Sequence, residues 1–201
     1  EETIAMNPLE VRSRHAKLSG RLIRESGNPN EHQDRLGIGL CKFKYLKNII
    51  DEIAWVCENH SGEIDQEIFY DIERIENTEL RKGLILALLR IGDELDRTFK
   101  RVEIGLIKMK RIPPDSMMHW YSHYYTKSIT IDDGIITISL RFPDLPGGAP
   151  SKIQAFIIDK IRKEYELVKI PLQKSGISLH LNTNEIYYDN TSSIEKPPED
   201  V

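Results

Sequence analysis

Residues 84–95 read Leu84-Ile85-Leu86-Ala87-Leu88-Leu89-Arg90-Ile91-Gly92-Asp93-Glu94-Leu95, and the fold turns on this stretch. Leu80, Leu84, Ala87, Leu88, Ile91 and Leu95 recur at threes and fours, which predicts an α-helix from about Thr78. Residues 84–89 are apolar on every side, the pattern of a helix buried on most sides at the centre of a helical domain. Leu86, Leu89 and Asp93 are spaced three and four, so the Asp93 carboxylate is expected to continue a buried face one turn beyond the most apolar segment. An acid is an unusual occupant of such a face.

Upstream, the same helical periodicity continues. Asn7-Pro8 with Glu10 three residues after the Asn is a helix start, and Gly27-Asn28-Pro29 is a stop. Val11, Leu18 and Leu22 form the apolar face of this helix, and His15 falls on the same stripe. A second helix is predicted from about Phe43 to Asn59, with Leu46, Ile49, Ile50, Ile53 and Cys57 on one side and Ser61-Gly62 as its stop. His60 continues that stripe at the helix end. Residues 64–77 are acidic and carry Ile68, Phe69, Ile72 and Ile75 at loosely helical spacing, read as a connector with some helix.

Downstream, Pro113-Pro114 ends the helical part and is the expected boundary between units. Ile129 and Ile131 lead into Asp133-Gly134, a two-residue hairpin turn, after which Ile136, Ile138, Leu140 and Phe142 occupy every second position. Ser151 opens a helix carrying Ile153, Phe156, Ile157, Ile161 and Val168, expected to close near Pro171 and Gly176. Ile177, Leu179 and Leu181 then alternate, with Ile186-Tyr187-Tyr188 as their pairing strand. The fold class is therefore α+β. A mainly helical domain spans 1–112, a small β-β-α-β-β unit spans 113–190, and a mobile tail covers 191–201.

Composition bounds the function classes. The chain has 201 residues, 28 basic and 32 acidic, for a net charge of -4. That balance argues against a general phosphate-coating surface, so nucleic acid is not the expected partner. Cys41 and Cys57 lack a C-x-x-C spacing and are too few for a disulfide scaffold, so reduced thiols in a soluble, cytoplasmic protein are expected. No apolar run approaches the roughly 20 residues that span a bilayer. Glu1-Glu2-Thr3 contains no initiator methionine, which fits a piece of something longer.

Three groups competent for metal or acid-base chemistry stand where hydrophobic side chains would be expected: His15, His60 and Asp93, on three separate predicted helices. Imidazole with carboxylate suits a first-row divalent ion, and a helical bundle builds such a site from one ligand per facing helix. The other reading makes each histidine a hydrogen-bonded core residue and ties Asp93 to Arg90 or Arg97, three and four positions away.

The order His15, then Asn59-His60-Ser61-Gly62 at a helix end, then Leu88-Leu89-Arg90-Ile91-Gly92-Asp93-Glu94-Leu95-Asp96 before Arg101-Val102, resembles the C-terminal part of the HD superfamily of metal-dependent phosphohydrolases. The resemblance implies a helical HD-like domain over 1–112, incomplete at its N-terminus. It implies that Asp93 is the late aspartate of that family, with a catalytic and metal-binding role, and that His15 and His60 are the two further histidines of its two-metal members. Ser116-Met117-Met118-His119-Trp120 before a hairpin is similar to the α/β extension of one HD branch, which often accompanies ATPase modules in larger proteins. The implied cofactor is a divalent metal (manganese, iron, zinc, cobalt or magnesium), and the implied substrate a nucleotide or phosphate ester. Arg90, Arg97 and Lys100 could hold its phosphate, the other reading being solvated cations on a helix surface. The sequence departs from the family in one respect: it contains no His-Asp dipeptide, and His32-Gln33-Asp34 comes after His15, in the wrong order. Either the pair lies upstream of Glu1, or the domain kept its fold and lost its metal and serves as an interaction or regulatory module.

A second candidate is His119 and His123, spaced four apart as two ligands on one helix face. Trp120, Tyr121, Tyr124 and Tyr125 beside them, with Lys108, Lys110 and Arg111 upstream, read as an interdomain packing strip, or as a stacking surface for a nucleotide or single-stranded nucleic acid.

Overall fold

The first helix, α1, runs Pro8–Gly27, the span predicted from its proline start and glycine stop. The computed structural model describes residues 8–27, 49–70, 72–75, 78–102, 114–143 and 149–189. These divide into two compact units, Glu1–Arg90 and Ile91–Val201, so the division falls ahead of Pro113-Pro114. The tail at 191–201, Cys41, the His32-Gln33-Asp34 stretch, residues 43–48 of the predicted second helix, and Lys108, Lys110 and Arg111 lie outside the described residues.

In the first unit, α1 lies along α2, Ile50–Asn59. Their contact is made by small residues. Ala16, Gly20 and Ala54 are buried, and a Cβ on Gly20 would sit 2.7 Å from the Ala54 carbonyl and collide with Glu58. The two backbones therefore approach as only Gly allows. Leu22, expected on the apolar face of this helix, is 42% exposed. Helix α2 ends at the predicted place, with Gly62 at φ +87°. The acidic connector contains a 3-10 turn at Gln66–Tyr70 and a short antiparallel ribbon, β1 (Glu73–Ile75) with β2 (Thr78–Leu80), where the sequence suggested connector and helix.

Helix α3 runs Lys82–Leu95. Gly83 lies against the Phe69 backbone, where a Cβ would collide with the carbonyl, and this fixes the rotation of the helix. The buried stripe is Gly83, Leu86, Ala87, Arg90 and Ile91, while Ile85, Leu88 and Leu89 are exposed. The expectation of a helix buried on most sides is thus corrected to a one-sided helix. The expected burial of Asp93 is corrected with it: the 86-89-93 stripe leaves the core at Leu89, 39% exposed, and Asp93 is exposed. The charged residues carried inside by this helix are Lys82 and Arg90.

In the second unit, α4 (Pro114–Tyr125) is followed by β3 (Thr126–Asp132) and β4 (Ile135–Pro143) in the predicted hairpin. Asp133 and Gly134 both have positive φ, 46° and 76°, as a type I′ turn requires. Ile136, Ile138, Leu140 and Phe142 all face the core, where they meet Tyr121 and Tyr125 of α4 and Ile153, Ile157 and Ile161 of α5. Helix α5 spans Ala149–Lys174 and closes between Pro171 and Gly176 as expected, with Pro171 inside its last turn and Gly176 at positive φ. Val168 and Leu172, both fully buried, hold the last turns in place despite the proline. The chain returns as a single strand, β5 (His180–Asp189), parallel to β4, giving sheet order β3-β4-β5. The unit is thus β-β-α-β instead of β-β-α-β-β. The polar stretch around Asn182–Glu185, which reads as a break between two strands, is an irregularity within one, at the register shift opposite Thr137 and Ser139. The fold class stands as α+β with a helical majority.

Candidate functional site: an imidazole pair at a helix end

His15 on α1 and His60 just past α2 meet. Their Nε2 atoms are 3.0 Å apart and the rings stand edge to face, with centroids 4.8 Å apart. Both residues are half-buried. The close approach of α1 to α2 at Gly20 brings these side chains within reach of each other. The Nδ1 of His60 lies 2.6 Å from the Cys57 carbonyl, which can only accept, so Nδ1 carries the proton and donates. Nε2 of a neutral His60 then presents a lone pair to His15. This is the arrangement in which a backbone carbonyl sets the tautomer and leaves the other nitrogen to bind a proton or a metal.

Two further groups shape the surroundings. Arg24 of α1 grips the Glu58 carboxylate of α2 through Nη1 and Nη2, and its hydrogen bond holds the Glu58 carboxyl below its ordinary value. Burial, reinforced by the neighbouring Glu58, pushes the Cys57 thiol up, so it is no ready thiolate.

The candidate phosphate-binding residues occupy different settings. Arg90 is buried and donates to the carbonyls of Asn59 and Gly62, each at 2.9 Å. Arg97 is also buried; it pairs with Glu94, not with Asp93, and donates to Ser122 Oγ at 2.9 Å. Lys100 is exposed. Asp93 belongs to the second unit and the two histidines to the first. Among the described residues no group of three His, Cys, Asp or Glu side chains converges as a metal cluster.

His119 and His123 share α4 but not an environment. His119 stands edge-on to Phe156 and 3.4 Å from the Lys160 ammonium. His123 Nδ1 is buried without a hydrogen-bond partner among the described residues; burial first, then Arg97 and Arg101, holds its imidazole below the ordinary value. In the aromatic strip, Tyr121 and Tyr125 are core residues, and Trp120 and Tyr124 are partly buried against that core.

Sequence reasoning found the His15–His60 pair but missed the part of Arg90 at the end of α2. The available signal was its place four residues after Leu86 and seven after Gly83, on the stripe that proves to be buried.

A helical unit with an imidazole pair at a helix end, followed in the chain by an α/β unit, defines an HD-like module. The HD-CE family model matches residues 4–167, and the chain belongs to that family. The match runs past the helical unit into α5, so the hairpin and most of its covering helix are part of what the family shares. No curated protein and no solved structure matches the chain. Among the described residues, no helix is long and apolar enough to cross a membrane.

Proposed function

We propose that this chain is part of an HD-type metal-dependent phosphohydrolase acting on a nucleotide or other phosphate ester. The observation that carries the reading is the convergence of two Nε2 atoms to 3.0 Å with one of them tautomer-fixed from behind. The donor set fits a first-row ion: with metal-nitrogen bonds of about 2.0–2.1 Å, two nitrogens at that separation serve one ion at nearly a right angle. His15 and His60 would hold it, with Asp93 as the carboxylate implied by the family. Such an ion supplies a water of lowered pKa and charge to screen the phosphoryl oxygens. The chain's own contribution is orientation: Cys57 directs His60, and Arg24 with Glu58 keeps α1 and α2 together. Lys100 is exposed and is proposed as one cation for the substrate phosphate. An ATPase module in the same longer protein is the expected partner.

The test is metal analysis and phosphatase assay on the longest native form of the protein. Loss of bound metal in His15→Ala and His60→Ala, and loss of activity in Asp93→Ala, are the expected results. Metal-free wild-type protein, with phosphatase activity unchanged by Asp93→Ala, would sink the idea.

One observation favours a second reading, a non-catalytic HD-like interaction or regulatory module. The 3.0 Å separation is also that of an ordinary hydrogen bond, with His15 Nε2–H donating to His60 Nε2. On this reading the pair is satisfied by a proton, and substitutions around Trp120 disturb association with a partner while metal content stays negligible.

A further inference from the structure

The interior of the first unit holds a charged group that the reaction chemistry does not use. Arg90 is 2% exposed. Its Nη1 and Nη2 donate at 2.9 Å each to the carbonyls of Asn59 and Gly62, the residues that bracket His60. The last carbonyls of a helix have no intrahelical partner and carry the negative end of its dipole, so the end of α2 is where a buried cation is best received. A guanidinium is planar and presents its N–H groups in a rigid fork. Two carbonyls bound to one fork are fixed relative to each other, and so is the backbone of residues 60 and 61 between them. Gly62, at φ +87°, gives the chain the bend that follows His60. The His60 ring then reaches back to Cys57 within the last turn of the same helix.

We propose that Arg90 is a positioning residue for His60: its fork clamps the Asn59–Gly62 turn and thereby holds the imidazole as the Nδ1–H tautomer with Nε2 aimed at His15. This rests on the reading of His15 and His60 as the working pair, and it assigns Arg90 a role other than gripping substrate phosphate. A lysine cannot replace it, because a single ammonium does not present two fixed parallel donors.

Ring-nitrogen NMR of His60 in the whole 201-residue chain tests the proposal. Wild-type protein should show a protonated Nδ1 and an unprotonated Nε2. Arg90→Lys and Arg90→Met should both lose this single-tautomer signature while retaining a cooperative thermal transition. Lys82→Met is the control for a merely structural role. Lys82 is also buried on α3, paired with Glu52 at 3.3 Å and set over the Trp55 ring, away from the His60 turn. Its removal should lower the melting temperature and leave the His60 signature intact. An unchanged tautomer in the folded Arg90 variants, or an equal change in Lys82→Met, would overturn the proposal. Should neither Arg90 variant fold, the wild type decides. Slow rotation of the Arg90 Nη groups, with hydrogen-bond couplings to the Asn59 and Gly62 carbonyls, supports the clamp, and free rotation overturns it. Zn2+ added to the wild type separates this from the underlying reading. Zn2+ that leaves both imidazole signals unmoved removes the metal site and leaves the clamp standing. Arg90 variants that bind Zn2+ like the wild type with their tautomer unchanged remove the clamp and leave the site.

Discussion

The two units are packed differently, although each buries charge, Arg90 and Lys82 in the first and Arg97 in the second. In the second, every inward position of β4 from Ile136 to Phe142 is fully or almost fully buried against aliphatic residues of α5 and tyrosines of α4. In the first, the comparable interior contains Arg90 and Lys82, and its helix contact is made by Ala16, Gly20 and Ala54. A dry, interdigitated core stabilises through area and fit. An interior that admits a guanidinium and lines up two imidazoles gives up some of that stabilisation and gains fixed orientation of polar groups.

Each unit contains one tryptophan, Trp55 in the first and Trp120 in the second, so paired Trp→Phe variants give a separate fluorescence reporter for each. The largest expected effect is on the dry side. Phe142→Ala should destabilise the second unit by about 3–5 kcal/mol, read from denaturant unfolding through Trp120. A loss below about 1 kcal/mol would show that this core is not packed as described.

Gly20→Ala comes next. Its new methyl meets the Ala54 carbonyl and Glu58, and the expected cost is about 1–3 kcal/mol in the first unit, read through Trp55. The same variant should weaken the coupling between the His15 and His60 rings, since both ride on the helices it separates. An unaffected pair would mean that the close approach of the helices does not position it.

The pH dependence of the second unit should come from His123. Its imidazole is held below the ordinary value of about 6.5, so the folded form binds fewer protons than the unfolded chain in the window just below that value. Stability is then fully present above the unfolded pKa and falls as pH drops through the window. His123→Gln should flatten this slope in the unfolding midpoint measured against pH. A slope that persists unchanged would assign it to another group.

The smallest effect belongs to the Arg24–Glu58 pair, which is partly exposed on both sides. Glu58→Gln should cost the first unit no more than about 1 kcal/mol, and the cost should shrink in salt. A loss several times larger would make this clamp, and not the glycine contact, the main tie between α1 and α2.

Much of the second unit was legible residue by residue. Asp133-Gly134 specifies its turn by backbone conformation, and alternation from Ile136 to Phe142 specifies which face is buried, because a strand has two faces and only one of them is apolar here. Helix α5 closes at Lys174, between Pro171 and Gly176 as the sequence indicated, with Val168 and Leu172 buried on either side of the proline. The polar residues near Asn182 misled because a bulge and a turn use similar residues. In the candidate site, His15 and His60 could be found from their stripes, and their meeting fits that reading. Arg90 and Asp93 could not be sorted, since a run that is apolar on every side gives no indication of which way the helix is rotated.

The sequence by itself determined where α1 starts and stops, where α2 stops, the hairpin and its inward face, and an HD-like resemblance that the HD-CE match supports. Tertiary structure alone decided the rotation of α3, and with it that Arg90 is buried and Asp93 is exposed. The physical reason is that rotation is set by one close contact, the Gly83 backbone against that of Phe69, between residues fourteen positions apart in the sequence. Periodicity reports that a helix has a buried side; only the neighbour it touches chooses which side that is.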